Sequence, residues 1–397
     1  MAGLTVVEVA SWLAAPGAAA LMRDLGAEVI KVEPPGGDAF RHLLPTLLGD
    51  ALPVNWAFEL DNRGKRSVTV SLEAPGGSDV VLRLARKADI FITNLTSPRL
   101  RRYGLTAEAV RAVNPTVIYV ALTGYGTHGP DAGQAGFDHT AFWARSGIMS
   151  LIGPPGAPPT TGRGGQGDHP TSLNILAATL AALRLRDQTG QGQDVEVTLQ
   201  RTGVWTIGFD IAGALVTHQQ PARADRVAPG NPLHNAYETS DGRWILWSMA
   251  TVDRYWPAVC DALGRPEWLT QPPFDTMVHR RDNAAEVTAA IAERVKAHDL
   301  AYWTAVCNEH SLIWAPVVEL PEVVQDPQLR EMDAFTTVRR PDGTEFETLN
   351  APFQIAGADI AVRGAAPDPG EHTLQVLEEF GFTTDEIADL AARGVFG

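Results

Sequence analysis

Residues 162–172, GRGGQGDHPTS, set a single carboxylate, Asp168, behind glycines at 162, 164, 165 and 167, with an apolar helical segment following. Two chemistries fit that pattern. Asp168 before Pro170 suits a helix N-cap. A carboxylate at a helix N-terminus is also favoured in its ionised form, the form a carboxylate nucleophile must have to attack. The glycines remove side-chain bulk and permit unusual backbone angles, so a large substrate can come close. Their free N–H groups could also stabilise an oxyanion. The two readings are compatible, and the local sequence leaves both open.

Other chemistries find less support. GYGTHG (124–129) matches G-x-G-x-x-G after a strand, but Pro130 follows and no helix starts there. No acid ends a second strand about 20 residues on, where a ribose partner belongs. His128, His139 and His169 are scattered, and neither H-E-x-x-H nor paired C-x-x-C occurs, so no metal or redox cofactor is expected. Ser146-Gly147 lacks the preceding glycine of a nucleophile elbow. Two basic clusters, Arg63, Lys65 and Arg66, then Arg99, Arg101 and Arg102, flank strands and read as solvated surface or as a phosphate site.

These residues need a scaffold. The chain has 397 residues, 45% hydrophobic, which is long for one core and points to two domains. Strand-like segments at 4–9, 28–33, 67–72, 89–94, 117–122 and 193–199 alternate with helical ones at 15–26, 78–87, 106–113 and 172–190. That alternation predicts a parallel sheet covered by helices, with ligands at the carboxyl ends of the strands, after Val32, Ile92 and Leu122. Residues 1–215 form the first part of a large domain. Residues 216–235 read as a linker and 236–328 as a smaller domain with a hairpin turning at Asp241-Gly242. Residues 329–397 return to the large domain and end in two short helices.

A formal charge of −15 argues against nucleic acid as partner. No apolar run reaches the ~18 residues of a membrane span. No signal peptide is expected, because Glu8 interrupts the apolar start and no basic segment precedes it. Cys260 and Cys307 lie far apart and read as reduced thiols, so the expected location is cytoplasmic.

Taken in order, LTVVEVASWLAAPGAAALMRDLGAEVIKVEPPGGDAFR, NRGKRSVTVSL, ADIFITN, LRRYGL, NPTVIYVALTGYGTHGP, GDHPTS, TGQGQDVEVTL, APVVELPEVVQDPQL and PGEHTLQVLEEFGF make the chain resemble family III CoA-transferases over nearly its whole length. The resemblance implies a large nucleotide-binding-type (Rossmann-like) α/β domain with a smaller α+β domain. It also implies ring-like subunits interlocked as a homodimer. Its substrates would be an acyl-CoA, which brings coenzyme A, and a carboxylic acid. Asp168 takes the position of the family's catalytic aspartate, which carries CoA as an aspartyl-CoA thioester. Leu13, Ala14, Val70, Asn94 and Arg102 fall at CoA-contacting positions, as do Pro34 and Glu73. Phe137, Asp138 and Gly167 fall near the substrate.

A racemase subgroup of the same superfamily acts on 2-methylacyl-CoA and carries His where this chain has Phe137. A two-base exchange at an α-carbon needs two titratable groups, so Phe137 favours transfer over racemisation unless His139 or His169 substitutes. A binding module for CoA or a nucleotide, without catalysis, is the remaining alternative.

Overall fold

The computed structural model describes residues 1–49 and 52–396. They divide into two compact units. One comprises Met1–Met149, Thr161–Gln219 and the chain from Gln328 onward; the other comprises Ser150–Thr160 and Gln220–Pro327. Ser150–Thr160, which lies inside the expected large domain, thus groups with the second unit.

In the first unit six parallel strands form one sheet: β1 (Thr5–Val9), β2 (Glu28–Glu33), β3 (Arg66–Thr69), β4 (Ile90–Thr93), β5 (Ile118–Thr123) and β6 (Gln193–Thr198). Their order is β3-β2-β1-β4-β5-β6, so the chain reverses direction of travel across the sheet between β1 and β4. Alternate side chains serve opposite faces. Val6, Val29, Ile90, Ile92 and Val120 pack with helices Ala14–Asp24 and Asp168–Thr189. Val7, Ile30, Val68, Phe91 and Tyr119 pack with Gly77–Ala85, Ala107–Val113 and the C-terminal helices Thr373–Glu379 and Thr384–Ala392. Gly26 (φ +95°) follows the first helix, and Gly190 (φ +70°) caps the long one.

The second unit holds a three-stranded antiparallel sheet: β7 (His234–Glu238), β8 (Trp244–Ser248) and β9 (Trp314–Val317). Gly242 takes φ +78° in the expected turn. Helices Val252–Ala262, Ala284–Lys296 and Leu300–Glu309 cover it through Trp256, Ile291 and Trp303. One hairpin of the first unit, β10 (Phe335–Arg339) with β11 (Glu345–Leu349), was not expected. Among the described residues no helix is long and apolar enough to cross a membrane.

The face of the sheet under the first helix carries charge. Glu8 on β1 is fully buried and accepts from Lys31 Nζ at 2.8 Å and Lys65 Nζ at 2.6 Å. Lys31, Glu8's register partner on β2, also meets Asp38 Oδ2 at 2.9 Å. Burial opposes the charge on Lys31, but Glu8, Asp38 and Glu33 outweigh it and raise its pKa. Lys65 donates to Pro16 O as well, tying the first turn of the helix to the sheet.

This arrangement corrects one expectation. Arg63, Lys65 and Arg66 are no phosphate site. They lie at the amino end of β3, away from the ligand-binding edge, and pair with Asp24, Glu8 and the two acids Glu28 and Glu379. Glu8→Gln leaves two lysines sharing a neutral amide in the core. We expect it to destabilise the fold by about 3–5 kcal/mol, the usual cost of removing one partner from a buried ion pair. Urea denaturation measures this.

Candidate active site

A cleft of 910 Å³ opens at the carboxyl ends of the strands. The segments after β1, β2, β4 and β5 supply Trp12 and Leu13, Pro34 and Gly37, Asn94 and Leu95, and Gly124. β1 and β4 are adjacent, and their loops part on either side of that seam, which is where open α/β sheets bind ligands. Asn94 joins the two loops: its Oδ1 accepts from Ser11 N (3.1 Å) and its Nδ2 donates to Ser11 O (2.7 Å). GYGTHG has a packing role. A Cβ on Gly124 would lie 2.6 Å from Gly136 Cα, so two backbones cross there.

Asp168 lines the cleft and is only 8% exposed. It is the first residue of its helix, and Gly167 is the N-cap residue. No side chain caps this helix, so the reading of Asp168 as a cap does not hold. Its carboxylate makes no hydrogen bond among the described residues. The glycine loop before it is held by Asp138, which accepts from Gly165 N at 2.8 Å and Gly167 N at 3.0 Å. Those two amides are therefore committed to Asp138, which removes them as oxyanion donors. The clamp also requires glycine. A Cβ on Gly167 would lie 2.2 Å from Asp138 Oδ1 and 2.3 Å from Phe142 Cγ.

Three carboxyl groups gather here. Burial, then the nearby charges of Asp138 and Asp61, raise the pKa of Asp168 from its ordinary 3.8 to about 7; His169 opposes the rise. The buried Asp61 carboxylate meets His169 Nε2 at 3.3 Å, and this hydrogen bond raises the imidazole's pKa. Burial also raises that of Asp138, against the two glycine amides. His169, whose protonated form these acids favour, opposes the rise at Asp168, and both His139 and His169 oppose it at Asp138. His139 lines the same cleft from a π-helical turn, Asp138–Ala144.

Leu13, Ala14, Asn94, Phe137, Asp138 and Asp168 all line the cleft, as does Pro34. Gly167 lies beneath it in the Asp138 clamp. Val70 and Arg102 are not on the lining. Val70 is buried in the core on the far face of the sheet, and Arg102 is exposed and paired with Glu73. From the same basic turn it is Arg99 that lines the cleft, together with Arg163 beside the glycine loop. Arg99 and Arg102 both lie in one short helix, Ser97–Arg102; Arg99 is on the lining, while Arg102, three residues on, pairs with Glu73. Trp12 and Trp56 also line the cleft, whereas Trp143 is core. Among the described residues no group of three or more His, Cys, Asp or Glu could hold a metal. Cys260 and Cys307 are buried, and burial pushes their thiols up to about 12 and about 11.

The raised pKa of Asp168 makes a stability statement. Between its unfolded value of 3.8 and about 7 the folded chain holds a proton that the unfolded chain has lost. Stability therefore falls as pH rises through that window, and the full cost is present above it. Asp168→Asn should melt higher than the parent at pH 8, by a margin that shrinks toward pH 4. Each kcal/mol recovered is worth roughly 2–4 °C for a domain of this size, and thermal melts across pH measure it.

The sequence profile of CoA-transferase family III matches residues 1–373. The (R)-2-hydroxy-4-methylpentanoate CoA-transferase of Clostridioides difficile is 30% identical over 97% of this chain and 96% of its own. The cinnamoyl-CoA:phenyllactate CoA-transferase of Clostridium sporogenes is 28% identical over 98% and 95%. The crystal structure of a CAIB/BAIF family protein from Brucella suis superposes with a TM-score of 0.83 at 30% identity, over 96% of this chain and 98% of that one. With whole-chain agreement in sequence and fold, this chain belongs to CoA-transferase family III.

Proposed function

We propose that this chain moves CoA from an acyl-CoA thioester to a carboxylic acid, with Asp168 as the nucleophile. The observation that carries the reading is a buried carboxylate, free of hydrogen bonds among the described residues, on the wall of a cleft at the sheet's switch point. Asp168 attacks the thioester carbonyl, and CoA leaves as thiolate, giving an acyl-aspartyl anhydride. The thiolate attacks the aspartyl carbonyl, the donor's carboxylate leaves, and CoA is held as an aspartyl thioester. The acceptor carboxylate attacks that thioester, and the thiolate it expels attacks the acyl carbon of the new anhydride. Asp168 is regenerated and the new acyl-CoA departs. Splitting one exchange into these steps is what a covalent nucleophile contributes.

CoA is the only cofactor this scheme needs, and the loop 11–14 and the basic turn after β4 fit its recognition. Arg99 is the proposed phosphate contact on the lining, with Arg102 further out. The expected homodimer is supported by helix Gly208–Thr217, none of whose side chains is buried; Phe209 is 91% exposed. A surface of that kind signals a partner.

One observation favours racemisation as a second reading. The segment after Phe137 is helical, and His139 shares the cleft with Asp168. An enolising enzyme exchanges the α-proton of its acyl group, whereas a transferase touches the carbonyl carbon alone.

Asp168→Asn should lose ~10³-fold or more in CoA transfer while still binding CoA, and the parent should yield a CoA adduct at Asp168 by mass spectrometry. Its kcat/KM should climb with pH to a plateau above about 7, as Asp168 ionises. In D₂O the parent should put no deuterium at the α-carbon of a 2-methylacyl-CoA; exchange at a useful rate makes racemisation the better reading. Parent-like turnover by Asp168→Asn would sink the mechanism, and with no turnover in the parent the binding module would stand.

Removing a charge-assisted phosphate contact costs about 1.5–3 kcal/mol. Calorimetry should show Arg99→Ala weakening CoA binding by that amount and Arg102→Ala by less. Equal affinity in all three proteins would reduce the turn to surface charge.

A further inference from the structure

We infer that the acid exchanged in this cleft carries a bulky apolar group, aryl or branched alkyl, and no second charge; the inference rests on the CoA-transfer reading of the same site. Its basis is an aromatic wall beside the nucleophile. The ring of Trp12 meets Phe137 edge-on at 5.6 Å and 84°, and meets Phe40 at 6.3 Å. Phe137 immediately precedes Asp138, whose carboxylate holds Gly165 and Gly167 next to Asp168. The wall therefore ends one residue from the clamp that fixes the reacting group. Leu13 completes the junction, since its Cδ2 is 3.3 Å from where a Cβ on Gly165 would sit.

Phe40 is buried behind this wall, while Phe137 and two further apolar lining residues are open. Phe137 is 52% exposed, Trp56 50% and Leu47 66%, and all three line the cleft. Single exposed apolar residues are ordinary on a protein surface. Several in one concave surface, beside a buried nucleophile, form a place for apolar ligand area. The wall is also held in place. Trp12 takes φ +73°, a left-handed conformation unusual for a bulky residue, and its amide donates to Asp38 Oδ1 at 3.3 Å. Asp38 is in turn fixed by Lys31 within the buried ion network.

Charge on the lining points the same way. Among the described residues its guanidinium groups are Arg99 and Arg163. Arg99 lies in the basic turn proposed for CoA, and Arg163 neighbours Gly164 at the nucleophile. One guanidinium suits the acceptor's reacting carboxylate. A dicarboxylate would bring a second charge to an aromatic surface.

The test offers the full-length protein acetyl-CoA, succinyl-CoA and 3-phenylpropanoyl-CoA as donors. Acetate, succinate, 4-methylpentanoate and 3-phenylpropanoate serve as acceptors, and products are read by mass. The two bulky acids should exceed acetate and succinate at least tenfold in kcat/KM. In Phe137→Ala the ratio of 3-phenylpropanoate to acetate should fall about tenfold, and Phe137→Leu should restore most of it. Succinate or acetate matching the bulky acids overturns the inference and leaves the transfer reading standing. So does an equal loss on all four acids in Phe137→Ala, which would make Phe137 a structural residue. No CoA transfer from any donor to any acid overturns the transfer reading, and this inference with it.

Discussion

Glu8, buried in the centre of a parallel sheet and shared by Lys31 and Lys65, is the interaction on which the binding edge depends. Strands buried on both faces are normally apolar throughout. Here one position on β1, its register partner on β2 and the residue before β3 are charged. Desolvating such groups is costly, and it is tolerated only where each finds several partners. Lys31 reaches Glu8, Ala10 O and Asp38; Lys65 reaches Glu8, Pro16 O and Asn62. Through these contacts the sheet grips both ends of the segment from Ala10 to Pro16. Asp38 then accepts the Trp12 and Phe40 amides, so the network under the sheet edge sets the loop that forms one side of the cleft.

The opposite side is governed by a second buried acid. Asp138 spends its carboxylate on two amides of the glycine loop, and the close approach leaves no room for a Cβ at Gly167. Asp168 is treated differently. It lies among the same acids yet receives no hydrogen bond among the described residues, and its ionisation is opposed by burial and by like charges. Two neighbouring carboxyl groups thus differ in environment: Asp138 is tied to two backbone amides, and Asp168 is not. The His169–Asp61 contact limits how far that opposition goes.

The distribution of cations follows from the same economy. Arg63 is buried against Asp24, and Arg66 bridges Glu28 and Glu379. Arg102 and Glu73 pair on the surface. What lines the cleft is Arg99 and Arg163, with an aromatic and aliphatic wall between the loops. The chain's acidity therefore says little about the charge of its ligand; the placement of two guanidinium groups says more.

The six strands, their covering helices, the Asp241-Gly242 hairpin and the isolation of Asp168 behind glycines are legible along the chain alone. All of these are written in local periodicity and turn chemistry within ten residues or so. The β10–β11 hairpin obeys the same rule, with Asp342-Gly343 between alternating segments. Other features exist only in the folded chain: Asp138 reaches across 27 positions to Gly165, Gly124 crosses Gly136, and Arg63 and Lys65 turn inward while Arg99 faces the cleft. The physical reason is the range of the signal. Whether a charge is a partner, a ligand contact or solvated surface depends on which distant group shares its space, and no spacing along the chain records that.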